Sequence, residues 1–72
     1  MKQYFLVKDL ARTTGNSVYT IKYYYKLGLL NEIGRTPHTN FKIFDSKAVS
    51  QLKKIRALRK KGRSLQVIKK LL

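Results

Sequence analysis

The stretch SVYTIKYYYKLGLL, residues 17–30, holds three consecutive tyrosines at positions 23–25. Four of the chain's five tyrosines lie within it. Tyrosine is neither the strongest helix former nor a purely apolar core residue, so the run is read by direction. In a helix turning about 100° per residue with Val18 at zero, Ile21 falls at about 300°, Tyr24 at about 240° and Tyr25 at about 340°. These four residues make one apolar side, where aromatic rings beside Ile are expected to pack a core. Tyr19, Lys22, Tyr23 and Lys26 fall between about 40° and 140°. Their i, i+3, i+4, i+7 spacing makes a second stripe. Two lysines alone would read as a solvated helix face. Interleaved with tyrosines they read as a nucleic-acid contact: the phenol donates to phosphate while the ammonium neutralises it.

The flanks punctuate this helix. Ser17 is placed to cap it by accepting from a backbone N–H, and Gly28 to stop it. Upstream, QYFL at residues 3–6 reads as a short extended start. Val7, Leu10 and Ala11 then mark one face of an earlier helix that ends at Gly15. The connection of about three residues suits a helix-turn-helix. Downstream, LLNEIGRTPHTNFKIF at 29–44 carries the turn formers Gly34, Pro37, Thr39 and Asn40. It reads as a β-hairpin with a polar, basic tip, and Phe41 and Phe44 are expected to cover the core. Asp45 caps a third helix whose apolar face is Ala48, Val49, Leu52, Ile55 and Leu58, and Gly62 stops it. A fourth starts at Ser64 with Leu65, Ile68, Leu71 and Leu72 apolar. The fold class is mostly α: helix, helix, hairpin wing, helix, helix, in one domain spanning residues 1–72.

Charge and composition narrow the function. The 72 residues hold 17 Lys and Arg against 3 Asp and Glu, a formal charge of +14. An anionic polymer relieves the self-repulsion of such a chain, and nucleic acid is the first candidate. There is no cysteine and one histidine, His38. This composition excludes disulfides and thiolate metal sites, and leaves no nucleophile–base–orienter set. No enzyme activity and no cofactor or metal are expected. No apolar run approaches the roughly 20 residues of a membrane span, and the apolar run near the start is too short for a signal-peptide core.

Taken together, VKDLA, TGNS, TIKYYY, GLL, GRTPHTNFKIF, LKKIRALRKKG and SLQVI resemble, in order and spacing, the DNA-binding domain of the MerR family of bacterial regulators. The family line is I-G-E-L-A, T-G-V-S, T-I-R-Y-Y-E, G-L-L, a wing with R and G-Y-R-x-Y, L-x-x-I-x-x-L-R-x-x-G and S-L-x-x-I. The resemblance covers nearly the whole chain. It implies a winged helix-turn-helix that binds double-stranded DNA as a homodimer in the bacterial cytoplasm, at the nucleoid. The second helix would lie in the major groove and the wing along the backbone. By this resemblance Ser17, Tyr19 and Thr20 approach bases and nearby phosphates, and Lys22 and Tyr23 hold phosphates beside Lys26. Arg35 and Lys42 are wing contacts. Arg63 and Ser64 offer a further phosphate site where the fourth helix begins.

Four departures stand out. Lys22 and Lys42 replace arginines, keeping the charge without the planar fork. Asn16 replaces an apolar residue, which loosens the expected packing of the turn. Tyr25 replaces an acid. Asn40 replaces the wing glycine, and Asn tolerates positive φ. The family's long dimer helix and sensor domain are not in these 72 residues, so a domain excised from a longer protein is expected, with a small stand-alone member the other reading. The implied function is sequence-specific DNA binding in transcription regulation. The alternative is an excisionase-like or architectural DNA-binding factor of a mobile element. An RNA-associated basic protein and a cationic membrane-surface peptide fit the pattern less well.

Overall fold

In the computed structural model, which describes residues 3–72, each helix begins where a side chain satisfies free backbone N–H groups. The first two residues of the expected domain lie outside the described ones. Asp9 reaches back to accept from the Leu6 N–H at 2.9 Å, and α1 runs Val7–Thr14. The Ser17 hydroxyl accepts from the Thr20 N–H at 3.0 Å, and α2 runs Val18–Lys26. Asp45 accepts from the Lys47 N–H at 3.1 Å to open α3, Ser46–Lys60. Ser64 accepts from the Val67 N–H at 3.3 Å to open α4, Leu65–Leu71. Ser17, Asp45 and Ser64 are the starts the sequence marks; the Asp9 bond at the first helix was not expected.

The helix ends are equally legible. Gly28 takes φ +83° after α2, and the Leu29 N–H closes on the Tyr24 carbonyl at 3.0 Å. This six-to-one bond turns the chain sharply toward the wing. Gly15 ends α1 at φ +73°, its N–H donating to the Ala11 carbonyl at 3.0 Å. The backbone angle strains any other residue there, and a Cβ would stand 2.9 Å from Nη1 of Arg56, displacing the end of that side chain. That same Nη1 donates to the Thr14 carbonyl at 2.8 Å, so an α3 cation closes the C-terminal end of α1. Asn16 does not loosen the turn as its replacement of an apolar residue suggests. Its amide donates to Thr14 Oγ1 at 2.9 Å, and Thr14 Oγ1 donates to the Leu10 carbonyl at 2.6 Å.

The wing is part of a three-stranded antiparallel sheet ordered β1-β3-β2. Strands β2, Gly34–Arg35, and β3, Lys42–Asp45, form the expected hairpin, with Gly34 opposite Ile43 and Arg35 opposite Lys42. Strand β1, Tyr4–Phe5, pairs with the other edge of β3 through Tyr4–Asp45 and Phe5–Phe44. The sequence gives this segment as extended; its pairing is long-range and leaves no local signal. At the hairpin tip, His38 and Asn40 adopt positive φ, 67° and 58°. Asn40 therefore takes the strained conformation its side chain tolerates best.

The interior has two joined parts. Leu10, Ile21, Leu30, Phe44, Ala48 and Leu52 are buried together, flanked by Tyr24 and Tyr25. Leu29, Ile55 and Ile68 form a second cluster, with Tyr24 and Leu65 against it. Four apolar expectations fail, among them Leu71 and Leu72 at the end of α4, 51% and 40% exposed. Phe41 is 57% exposed: it precedes β3, and the alternation that sends Phe44 inward turns a residue three positions earlier to the other face. Val18 is 40% exposed, since the first turn of α2 extends past the core.

Arg56→Ala removes the clasp between α3 and α1. It should lower stability by about 1 kcal/mol, the usual net worth of a hydrogen bond. Urea denaturation would show a lower midpoint at an unchanged slope; an unchanged midpoint would mean the clasp contributes nothing.

Candidate nucleic-acid interface

The two stripes of α2 separate in space as its helical phase requires. Ile21 is fully buried, and Tyr24 and Tyr25 are half-buried against the core. Tyr19 is 80% exposed and Tyr23 45%, with Lys22 and Lys26 exposed between them. Tyr23 leans on Tyr24, ring centroids 6.3 Å apart, which limits its freedom without burying its hydroxyl. Ser17 and Thr20 are less free than their positions suggest. The Ser17 hydroxyl donates to Thr20 Oγ1 at 2.9 Å while accepting the cap bond, so part of its capacity is already used.

Between the start of α1, α2 and the wing lies a groove of about 700 Å³. Lys8, Lys22 and Lys42 line it with Val18 and Phe41, and no acid does. It joins the cationic stripe of α2 to the wing. Phe41 and Lys8 were not among the expected contacts. Phe41 carries no charge, and Lys8 sits on the polar side of a helix read only for its core face.

The wing cations are held from behind. Arg35 donates from Nε and Nη2 to the two carboxylate oxygens of Glu32, at 2.6 and 3.0 Å. The Tyr25 hydroxyl donates to the same carboxylate. Lys42 places its ammonium over the Tyr25 ring, 4.9 Å from the centroid, and the ring meets Phe44 edge-on at 6.1 Å. The Arg35 and Tyr25 hydrogen bonds hold the Glu32 carboxyl at about 2, well below its ordinary value of 4.5. The same carboxylate raises the Tyr25 phenol and the Arg35 guanidinium above their usual ranges. Glu32 lies in the loop between α2 and β2, and no local pattern in the sequence marks it as a partner of Tyr25 and Arg35.

The remaining acids also have structural partners. Asp9 caps α1 and stands 3.7 Å from Arg12; Asp45 caps α3. Arg63 and Ser64 are at the junction of α3 and α4, both exposed. The Ser64 hydroxyl is occupied with its cap. Among the described residues no helix is long and apolar enough to cross a membrane, and no group of three or more His, Asp or Glu residues is placed to hold a metal.

A family model described as a MerR helix-turn-helix family regulatory protein matches residues 5–72. The chain belongs to the MerR family. No curated protein matches it at a significant level. Solved structures do. A MerR-family transcriptional regulator from Bacillus cereus superposes with a TM-score of 0.86 at 22% identity, covering 96% of this chain and 51% of that one. That likeness is one of fold. HiNmlR, described as a MerR family regulator lacking the sensor domain and bound to promoter DNA, superposes with a TM-score of 0.83 at 30% identity, covering 96% of this chain and 52% of that one. The chain thus spans about half the length of these two regulators.

Within the MerR pattern the acid that precedes the second stop is missing, because Tyr25 stands there. The Tyr25 hydroxyl donates instead to Glu32, seven residues on. Tyr25 thus pads the core edge with its ring while its hydroxyl joins the Glu32–Arg35 pair.

Two measurements test these assignments. Tyr24→Ala should cost about 3 kcal/mol, since its ring touches both core clusters, whereas Tyr23→Phe should leave the melting temperature nearly unchanged. The reverse result would mean the helical phase is wrong. The second concerns acid. Glu32 has a folded value below its unfolded one, so its contribution is complete above about pH 4.5 and disappears as pH falls toward about 2. The gap in melting temperature between the native chain and Glu32→Gln should therefore narrow across that window; a constant gap would contradict the paired carboxylate.

Proposed function

We propose that this MerR-family domain binds double-stranded DNA sequence-specifically in the regulation of transcription, with α2 in the major groove and the wing along the backbone. The observation that carries the reading is the exposure of Tyr19, Lys22, Tyr23 and Lys26 on one face of α2, continuous with an acid-free groove toward Lys42. The 30%-identical relative described as bound to promoter DNA supports it.

In this reading the cations set register and the residues at the start of α2 choose sequence, because phosphate contacts position a protein while base contacts specify. Lys22 and Lys26 neutralise phosphates flanking the groove entered by the helix. The Tyr23 hydroxyl donates to one of them. Tyr19, the most exposed ring, reaches base edges, with Ser17 and Thr20 approaching through the hydrogen-bonding capacity their cap leaves open. Arg35 and Lys42 fasten the wing to the backbone, and Arg63 and Ser64 offer a further contact beside α4. As point charges, Lys22 and Lys42 grip phosphate less directionally than arginine would, so affinity depends strongly on salt.

Much of the +14 charge faces elsewhere. Lys53, Lys54 and Lys60 on α3, and Lys61 at its end, lie exposed and outside the groove lining. The slope of log affinity against log salt counts phosphates neutralised, at about −0.9 for each. Lys22→Gln should make that slope shallower by about 0.9, and Lys53→Gln should leave it unchanged. A slope near zero for the native domain would overturn the nucleic-acid reading.

A further inference from the structure

Arg35 is the one wing arginine, and a carboxylate already occupies two of its donors. Two readings of that pair predict opposite signs. If Glu32 simply masks Arg35, removing it frees a cation and tightens DNA binding. If Glu32 orients Arg35, removing it leaves a flexible cation and weakens binding despite the gain in positive charge.

The geometry points to the second, and we propose that Glu32 and Tyr25 are positioning residues that set Arg35 and Lys42 in place on the wing before DNA arrives. A guanidinium has five N–H donors. Glu32 engages those of Nε and one of Nη2, which leaves Nη1 and the other Nη2 hydrogen on the outward edge. That edge still presents the paired donors that suit a phosphate. Glu32 is fixed in turn by the Tyr25 hydroxyl, and Tyr25 by the core through its edge-on contact with Phe44. The face of the same ring carries the Lys42 ammonium. One half-buried residue of α2 therefore holds both wing cations, one through a carboxylate and one directly. Because Arg35 and Lys42 are opposite each other in the β2–β3 register, the two charges are held side by side on the hairpin. Fixing them in the free protein removes an ordering cost from the binding step.

This inference rests on the DNA-binding reading above, and the test separates the two. Binding of a short mixed-sequence DNA duplex is measured against salt for the native domain, Glu32→Ala, Tyr25→Phe, Arg35→Ala and the Glu32→Ala/Arg35→Ala pair. Glu32→Ala should weaken binding about tenfold and make the salt slope shallower by about 0.9, as if Arg35 itself were lost. In the Arg35→Ala background the same change should have no further weakening effect. Tyr25→Phe keeps the ring and should fall between. Tighter binding by Glu32→Ala, additive losses in the pair, or no loss on Arg35→Ala would each overturn the proposal. In the free protein, the Arg35 Nε–H resonance should be sharp and slowly exchanging, and should be averaged in Glu32→Ala; equal exchange in both would overturn it without reference to DNA. A native domain that fails to bind the duplex at all would instead overturn the functional reading.

Discussion

Phe44 is the point on which the architecture depends. It lies on β3, the strand paired on both edges, and it is fully buried among Leu10 of α1, Ile21 of α2 and Ala48 and Leu52 of α3. Its ring also meets Tyr25 edge-on. One side chain thus ties the wing to three helices. A domain of this size buries only about 60% of its unfolded surface, so a central aromatic contact counts for more than it would in a larger core. The wing is short, and two residues of β2 could not hold it in place alone. Its orientation comes from β3 being pinned at Phe44 and from the Tyr25–Glu32–Arg35 chain behind it.

That constraint explains how tyrosines adjacent in sequence take different roles. Tyr24 spans both core clusters, Tyr25 joins core to wing, and Tyr23 turns outward. The outward stripe needs the inward one: Lys22 and Lys26 face solvent in a fixed direction because Ile21 and Tyr24 anchor the opposite side. The acids follow the same logic. Asp9, Glu32 and Asp45 each have a backbone or guanidinium partner, and none lines the groove beneath the wing. The groove lining is thereby kept to one sign, with the Glu32 carboxylate paired to Arg35 beside it.

Much of this was legible in the sequence because it rests on local chemistry. Ser17, Asp45 and Ser64 cap helices, and Gly15 and Gly28 end them, by bonds spanning a few residues. The helical phase of α2 follows from its own spacing. What was not legible is long-range or tied to tertiary direction. The pairing of β1 with β3 joins Phe5 to Phe44, and Arg56 reaches Thr14 across 42 positions. Phe41 looked like core and lies outside, because the start of β3, not composition, decides which aromatic faces inward. Glu32 was overlooked since nothing local marks a loop acid as the partner of a tyrosine one helix end away. For the candidate interface, spacing marked which side of α2 faces outward, while Lys8 and Phe41 join the groove only once α1 and the wing converge.

The central claim is that one face of α2, continuous with the wing, is where DNA lies. Backbone amide shifts of the labelled domain, followed as a short duplex is added, test it most directly. The account predicts that perturbations concentrate in residues 17–26 and 34–42 and spare the exposed lysines along α3 and at its end, 53, 54, 60 and 61. Perturbations spread evenly over the lysines, or centred on α3, would contradict it.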